Sequence, residues 1–524
     1  MKTFLVALGL LTAATARAQT IPTLGSPTSD PVIQRIYAEG MKNSHAYELA
    51  QVLMDSIGPR LTGSPANRSA NDWLVKTYAS WGITARNEKY GTWRDWARGN
   101  SRIELMSPRV RTLEATQHAW SAPTPGGGTT AEVVLLTQSP AMDSAGFTRW
   151  LGTLRGKFVL ISAPQPTCRP DTNWAQWAGG AGRKAMQLSR DSAMRAYGAR
   201  LTALGVDPRT IGARLDDAGV AGVLSNTWSL GWGVDKIFSA RANRSPSFDV
   251  SCEDYGLLAR LAQANQHPVI HAVAESKLAR EESPVFNTLA EVKGSTLPGE
   301  YVMLSAHLDS WDGGSGATDN GTGTIIMLEA MRILRAAYPQ PRRTILAGHW
   351  SGEEEGDIGS SAFAADHPEI LSGLQALFNQ DNGTGNIDKV ITAGFLDAPA
   401  HFARWMSQMP EDITTGTVLE FPGYAHDEST DSDAFACRDA PGFFLNSADW
   451  DYNDYTWHTN RDTFDKISWD VIRKNATLVA MLVYEASEDP GRVGRARRIP
   501  ALDASNSQTI VPPTCATPRR SYAP

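Results

Sequence analysis

The chain has little cysteine, no excess of basic charge and no apolar run long enough to cross a bilayer. Only four cysteines occur in 524 residues, Cys168, Cys252, Cys437 and Cys515, and none is part of a CxxC pair. That spacing excludes a cysteine zinc site. With no Gly-x-Ser-x-Gly elbow and no catalytic setting for a thiol, a serine or cysteine hydrolase is disfavoured. A formal net charge of -7 argues against a nucleic-acid partner. The glycine-rich GGSGATDNGTG is followed by no Gly-Lys-Ser/Thr, so it is a poor phosphate loop. The acidic run HDESTDSD, with Asp427, Glu428, Asp431 and Asp433, lacks the spacing of a calcium hand.

What is present describes an exported, multi-unit globular protein. Apolar residues make up 42% and charged residues 20%, enough for a core, and the length calls for two or more packed units. Lys2, an apolar stretch over 4–11 and Ala16-Arg17-Ala18 form a signal peptide over 1–18, cut before Gln19. Its apolar stretch is shorter than the about 20 residues that span a bilayer, so no stable membrane insertion is expected. An oxidising compartment then permits two disulfides in any of three pairings.

Residues 19–31 read as a linker. Residues 32–124 form an N-terminal part with helical spacing at Ile36, Leu49, Val52 and Leu53. One of its helices is expected to resume at Ala70, with Asn67 and Ser69 as start residues. Residues 125–275, opened by three glycines, read as a β-rich insert. In 276–490 the strands YVMLSAH, RTILAGHW, ALFNQD and GFFLNS alternate with helices such as GTIIMLEAMRILRAA and KNATLVAMLVYEAS. This alternation predicts an α/β fold, a three-layer α/β/α sandwich on a mixed, largely parallel sheet. Residues 491–524 form a basic tail.

Across that last region runs a series of metal-competent side chains: His307, Asp319, Glu353, Glu354, Asp381 and His458. Zinc accepts imidazole nitrogen and carboxylate oxygen, and it activates water where a coordination position stays open. His307, Glu353, Glu354 and Asp381 fall at or just beyond the C-terminal ends of predicted strands, where open α/β sheets gather ligands. Taken singly, each has a plainer reading. Asp319-Asn320-Gly321 and Asp381-Asn382-Gly383 are good turn sequences. Glu355, third in the acidic run, reads as a solvent-facing charge. His349, His367, His401 and His426 read as structural or exposed. Trp450, Tyr452, Tyr455 and Trp457 suit a pocket wall and core packing equally.

Together the segments HLDSWDGGSGATDNGTG, SGEEEG, NQDNGTG, TDSDAF and WHTNRDTFDKI, in this order, resemble the di-zinc exopeptidase family of secreted aminopeptidases and plasma glutamate carboxypeptidase. GPRLTGSPANRSANDWL extends the resemblance to the N-terminal part. GKFVLIS, AGVAGVLSN and SPSFDVSCEDYGLL make the insert similar to a protease-associated domain. The resemblance implies two Zn2+ per chain, one held by His307 and Asp381, the other by Glu354 and His458, with Asp319 bridging. It implies Glu353 as general base, Asp309 as the partner that orients His307, and Ser432-Asp433 as a turn lining the site. Trp457 stands where some relatives place a tyrosine, so that hydroxyl's contribution is missing here.

The implied activity is hydrolysis of peptide or dipeptide substrates, as an aminopeptidase or dipeptidase first and a carboxypeptidase second. A glutaminyl cyclase shares the fold but normally uses one zinc, and the five-ligand set argues against it. A receptor-like binding protein on the same fold is the rival outside enzymes. Side-chain preference, disulfide pairing and oligomeric state stay open at this level.

Overall fold

Along the strand Leu297–His307 successive side chains enter different cores: Val302, Leu304 and Ala306 one, Met303 another. Its neighbour Arg343–Trp350 does the same, with Ile345 and Ala347 on one side and Leu346 and Trp350 on the other. This period of two, with both faces apolar, is the mark of a sheet covered on both sides. The computed structural model describes residues 28–423, 430–498 and 514–522 together with the backbone of Gln19–Thr20. The expected leader 1–18, most of the expected linker, and His426, Asp427 and Glu428 lie outside the described residues.

Among the described residues the sheet has nine strands, and its centre is four parallel neighbours: Gly442–Ser447, Leu374–Asn379, Leu297–His307 and Arg343–Trp350. Lys277–Val292 and Thr84–Ala97 add antiparallel strands on one edge. Helices Thr322–Ala337 and Trp469–Glu488 pack on one face, and Ile358–Asp366 and Pro368–Gly373 on the other. The expected α/β/α sandwich is therefore present. No helix among the described residues is long and apolar enough to cross a membrane.

Two local starts differ from expectation. The first helix, Pro31–Lys42, begins at Asp30, whose carboxylate accepts from the Val32 and Ile33 amides. The helix expected from Ala70 already begins at Pro65, because Ser64 caps the Asn67 amide and proline suits a first helical position. Asn67 is buried inside that helix instead, and donates to Arg60 O and Ser351 Oγ.

Among the described residues a second sheet of eight strands stands beside the first. It draws in Ser101–Ser107, Arg111–Leu113 and Ala115–Gln117, ahead of the insert start expected at 125. It also carries helices between its strands, including the 25-residue Gly179–Ala203, so β-rich describes only part of it. Val133, Phe158 and Leu160 face one core while Val159 and Val223 face another.

The four cysteines pair as Cys168–Cys252 and Cys437–Cys515. The described part of the basic tail is held, not loose. Arg495 donates to the Leu371 and Leu374 carbonyls, and Arg492 to that of Ser372.

Candidate metal centre

Parallel strands deliver their C-terminal ends to one edge, and the acid and imidazole groups collect there. His307 ends its strand, Glu353 and Glu354 follow Arg343–Trp350, and Asp381 follows Leu374–Asn379. Asp319 precedes the helix Thr322–Ala337, and His458 arrives from the loop after Gly442–Ser447. His307 Nε2 lies 2.7 Å from Asp381 Oδ1 and 3.4 Å from Asp319 Oδ1. His458 Nε2 lies 3.2 Å from Asp319 Oδ2 and 3.0 Å from Glu354 Oε2. Two triads result, His307/Asp319/Asp381 and Asp319/Glu354/His458, each with ligand atoms within 4.8 Å of one another. They share Asp319, one oxygen toward each histidine. Glu353 Oε2 stands 3.8 Å from His307 Nε2.

The charges are held where water cannot neutralise them. Burial opposes a proton on His307, yet the carboxylates of Asp381 and Glu353 outweigh it and push the imidazole well above its usual range. His458 is likewise raised to about 9, with burial opposed by Glu354 and Asp319. Burial lifts Glu353 well above the ordinary carboxylate range, with the Asp381 charge adding to it. Glu354 is pushed up to about 7 by burial, against the pull of His458. For Asp319 the burial penalty is exceeded by hydrogen bonds from His307 and His458, and its pKa falls. Glu354 Oε1 is buried without any hydrogen bond. Buried carboxylates of this kind are paired or ligate cations, and a mixed nitrogen and oxygen donor set fits zinc.

Asp309 plays a broader part than orienting one ring. His307 Nδ1 bonds to its backbone carbonyl at 3.0 Å, while its carboxylate oxygen is 3.6 Å away. That carboxylate accepts from Thr62 Oγ1 and from the Glu353 and Glu354 amides, so it fixes the acidic turn. Glu355 does not face solvent as expected. Both its oxygens are buried, and burial together with the Asp309 charge raises its pKa.

Three positions were not anticipated. Arg60 is fully buried and donates to the carbonyls of Leu308, Gly58, Ser315 and Gly316, stapling the loop that leads to Asp319. Asp462 accepts from the Thr318 and Asp319 amides. Thr430 donates to Asp381 Oδ2 at 2.6 Å, so in the TDSD segment it is the threonine that touches the cluster. The motifs GPRLTG and HTNRD contain the first two, but neither shows which carbonyl or amide its charge will meet.

The remaining histidines lie elsewhere. His349 meets Tyr78 Oη, His367 meets Glu88, and His401 meets Asp489. The second sheet supplies the site's cover. Ile237 N donates to His458 O at 2.6 Å, and the Phe238 ring sits edge-on to the His458 ring at 5.1 Å. Lys236 places its ammonium 3.8 Å above the Trp457 ring. His458 itself holds φ of 57°, a left-handed conformation that costs a non-glycine residue about 1–2 kcal/mol and needs such fixing. Tyr452 and Tyr455 line a separate cavity of about 400 Å3, and Trp450 at its rim is exposed.

Residues 287–483 match the model of Peptidase family M28. Mouse carboxypeptidase Q is 27% identical over 349 residues, covering 66% of this chain, and the chain spans 66% of that relative's length. A peptidase M28 precursor from Shewanella amazonensis superposes with a TM-score of 0.65 at 24% identity, over 88% of this chain and 97% of that one. A zinc aminopeptidase from Bacillus subtilis does so at 0.54 and 19%, over 86% and 97%. The similarity to Peptidase family M28 thus covers residues 287–483, the stretch that carries His307, Asp319, Glu353, Glu354, Asp381 and His458.

Proposed function

We propose that this chain is a secreted, two-zinc aminopeptidase or dipeptidase. The observation that carries the reading is the pair of triads sharing Asp319, with the unshared carboxylate of Glu353 beside them. His307, Asp381 and Asp319 would hold one zinc, and Glu354, His458 and the other oxygen of Asp319 the second. When bound, the metals supply Lewis-acid charge that polarises a peptide carbonyl and makes water easier to deprotonate. Glu353 takes the water's proton and returns it to the leaving amine. A carboxyl raised by burial is suited to both halves of that transfer. Asp309 keeps Glu353 in reach by gripping the backbone of its turn. Phe238 and Trp311 flank His458 and hold its ring in place.

The leader sequence and the two disulfides support export. The insert 125–275, extended back to Ser101, is assigned as the protease-associated domain. A second reading, cleavage beside a free C-terminal carboxylate, is favoured by the name of the mouse relative, carboxypeptidase Q. The test is a panel of dipeptides and of N- and C-blocked peptides, run on the mature protein with its metal content measured. Two zincs per chain, chelator-sensitive hydrolysis and a requirement for a free amine are expected. Turnover of N-blocked peptides alone would transfer the assignment to the carboxypeptidase, and metal-free protein without turnover would leave a binding protein.

A further inference from the structure

The C-terminal strap, residues 514–522, is built into the wall of a cavity that reaches Glu354. Cys515 is bonded to Cys437, and the strap then runs beside Thr84–Ala97. Thr92 N donates to Arg520 O at 2.9 Å, Arg520 donates to Tyr90 O and pairs with Asp366, and Arg94 donates to Tyr522 Oη. The approach is close enough to require glycine. A Cβ on Gly91 would come within 2.4 Å of Arg520 O.

The cavity has a volume of about 510 Å3, and aromatic rings dominate its wall: Trp93, Trp120, Phe238, Trp311 and the strap's Tyr522. The rings brace one another edge-on, Trp93 with Tyr522 at 5.4 Å and Trp120 with Trp311 at 5.8 Å. Trp93 and Trp311 are buried, and their indole N–H groups have no acceptor. Arg519 lies over the Trp93 ring at 4.6 Å and donates only to carbonyls of its own strap among the described residues.

We propose that this strap determines specificity: the cavity takes the aromatic side chain of a substrate residue, and Tyr522 and Arg519 complete it. Edge-to-face rings select for another ring. The proposal rests on the exopeptidase reading. Two full-chain variants test it. Tyr522→Ala removes a wall, and Gly91→Ala pushes the strap off its strand without altering any lining residue.

In each, kcat/KM for Ala-Phe or Phe-Ala relative to Ala-Ala should fall about tenfold or more through KM. Zinc content should be unchanged in both, and Ala-Ala turnover in Gly91→Ala. Calorimetry with L-phenylalanine and L-alanine gives a readout independent of catalysis, and only phenylalanine affinity should depend on the strap. Equal losses on all dipeptides, or an unchanged preference in both variants, would overturn the proposal. Strap-dependent phenylalanine binding by a protein that hydrolyses nothing would sink the exopeptidase reading and keep the cavity. Absence of both preference and phenylalanine binding in the unmodified chain would end it.

Discussion

Both sheets of this protein gather four parallel strands, and both bury histidine and aspartate near the strand ends. In the eight-stranded sheet His118 Nε2 meets Ser225 Oγ at 2.9 Å, and that hydroxyl donates to Asp249 Oδ2 at 3.0 Å. The residue types are those of a hydrolase triad, yet all three are buried and every contact is internal. Burial lowers His118 to about 3 and raises Asp249 to about 7, so this sheet moves its ionisable groups toward neutrality. At the edge of the nine-stranded sheet the balance differs: a surplus of carboxylates drives His307 and His458 toward the charged form, and Glu354 Oε1 stays without a partner. Composition does not separate a site from a packed core. Unbalanced charge converging from several strands does.

Four experiments would break or sharpen that contrast. The largest effect is expected from Glu353→Gln, which should reduce kcat by about 10^3-fold or more while the bound metal remains, as read by turnover and metal analysis. Full activity in that variant would mean the unshared carboxylate is another packed acid. Next, chelation should lower the melting temperature, and zinc at a hundred times its Kd should restore about 2.7 kcal/mol of stability. Asp249→Asn should leave that metal-dependent gain intact.

The third concerns pH. Burial raises Asp249 from the ordinary carboxyl value of 3.8 to about 7, so the fold prefers its protonated form. That contribution is complete below the unfolded value and is lost as pH rises through about 7. Urea melts at pH 5 and pH 8 should show stability declining by roughly a few kcal/mol, with the slope reduced in Asp249→Asn. The smallest is Ser225→Ala, which leaves His118 and Asp249 each short of a partner and should cost about 1–3 kcal/mol without changing kcat. Loss of activity in Ser225→Ala would show that the second sheet takes part in the chemistry.

Much of this was legible in the sequence because strand ends and turn motifs are local. A strand such as YVMLSAH ending in histidine, and GEEEG following RTILAGHW, announce their own positions on a parallel sheet. Features set by long-range contact were not. Residues 101–117 join the second sheet through antiparallel pairing with Val269–Ala274 and Ser247–Val250, more than a hundred residues onward. Glu355 follows two ordinary site residues, and only the fold turns it inward. Arg60 reads as one exposed charge in a turn until four carbonyls are found around it.

The amide of Ile237 grips the backbone of His458 across the boundary between the two sheets. Any separation of the two sheets must therefore tug on an imidazole that faces the shared aspartate, so the seam and the metal-competent cluster move as one unit.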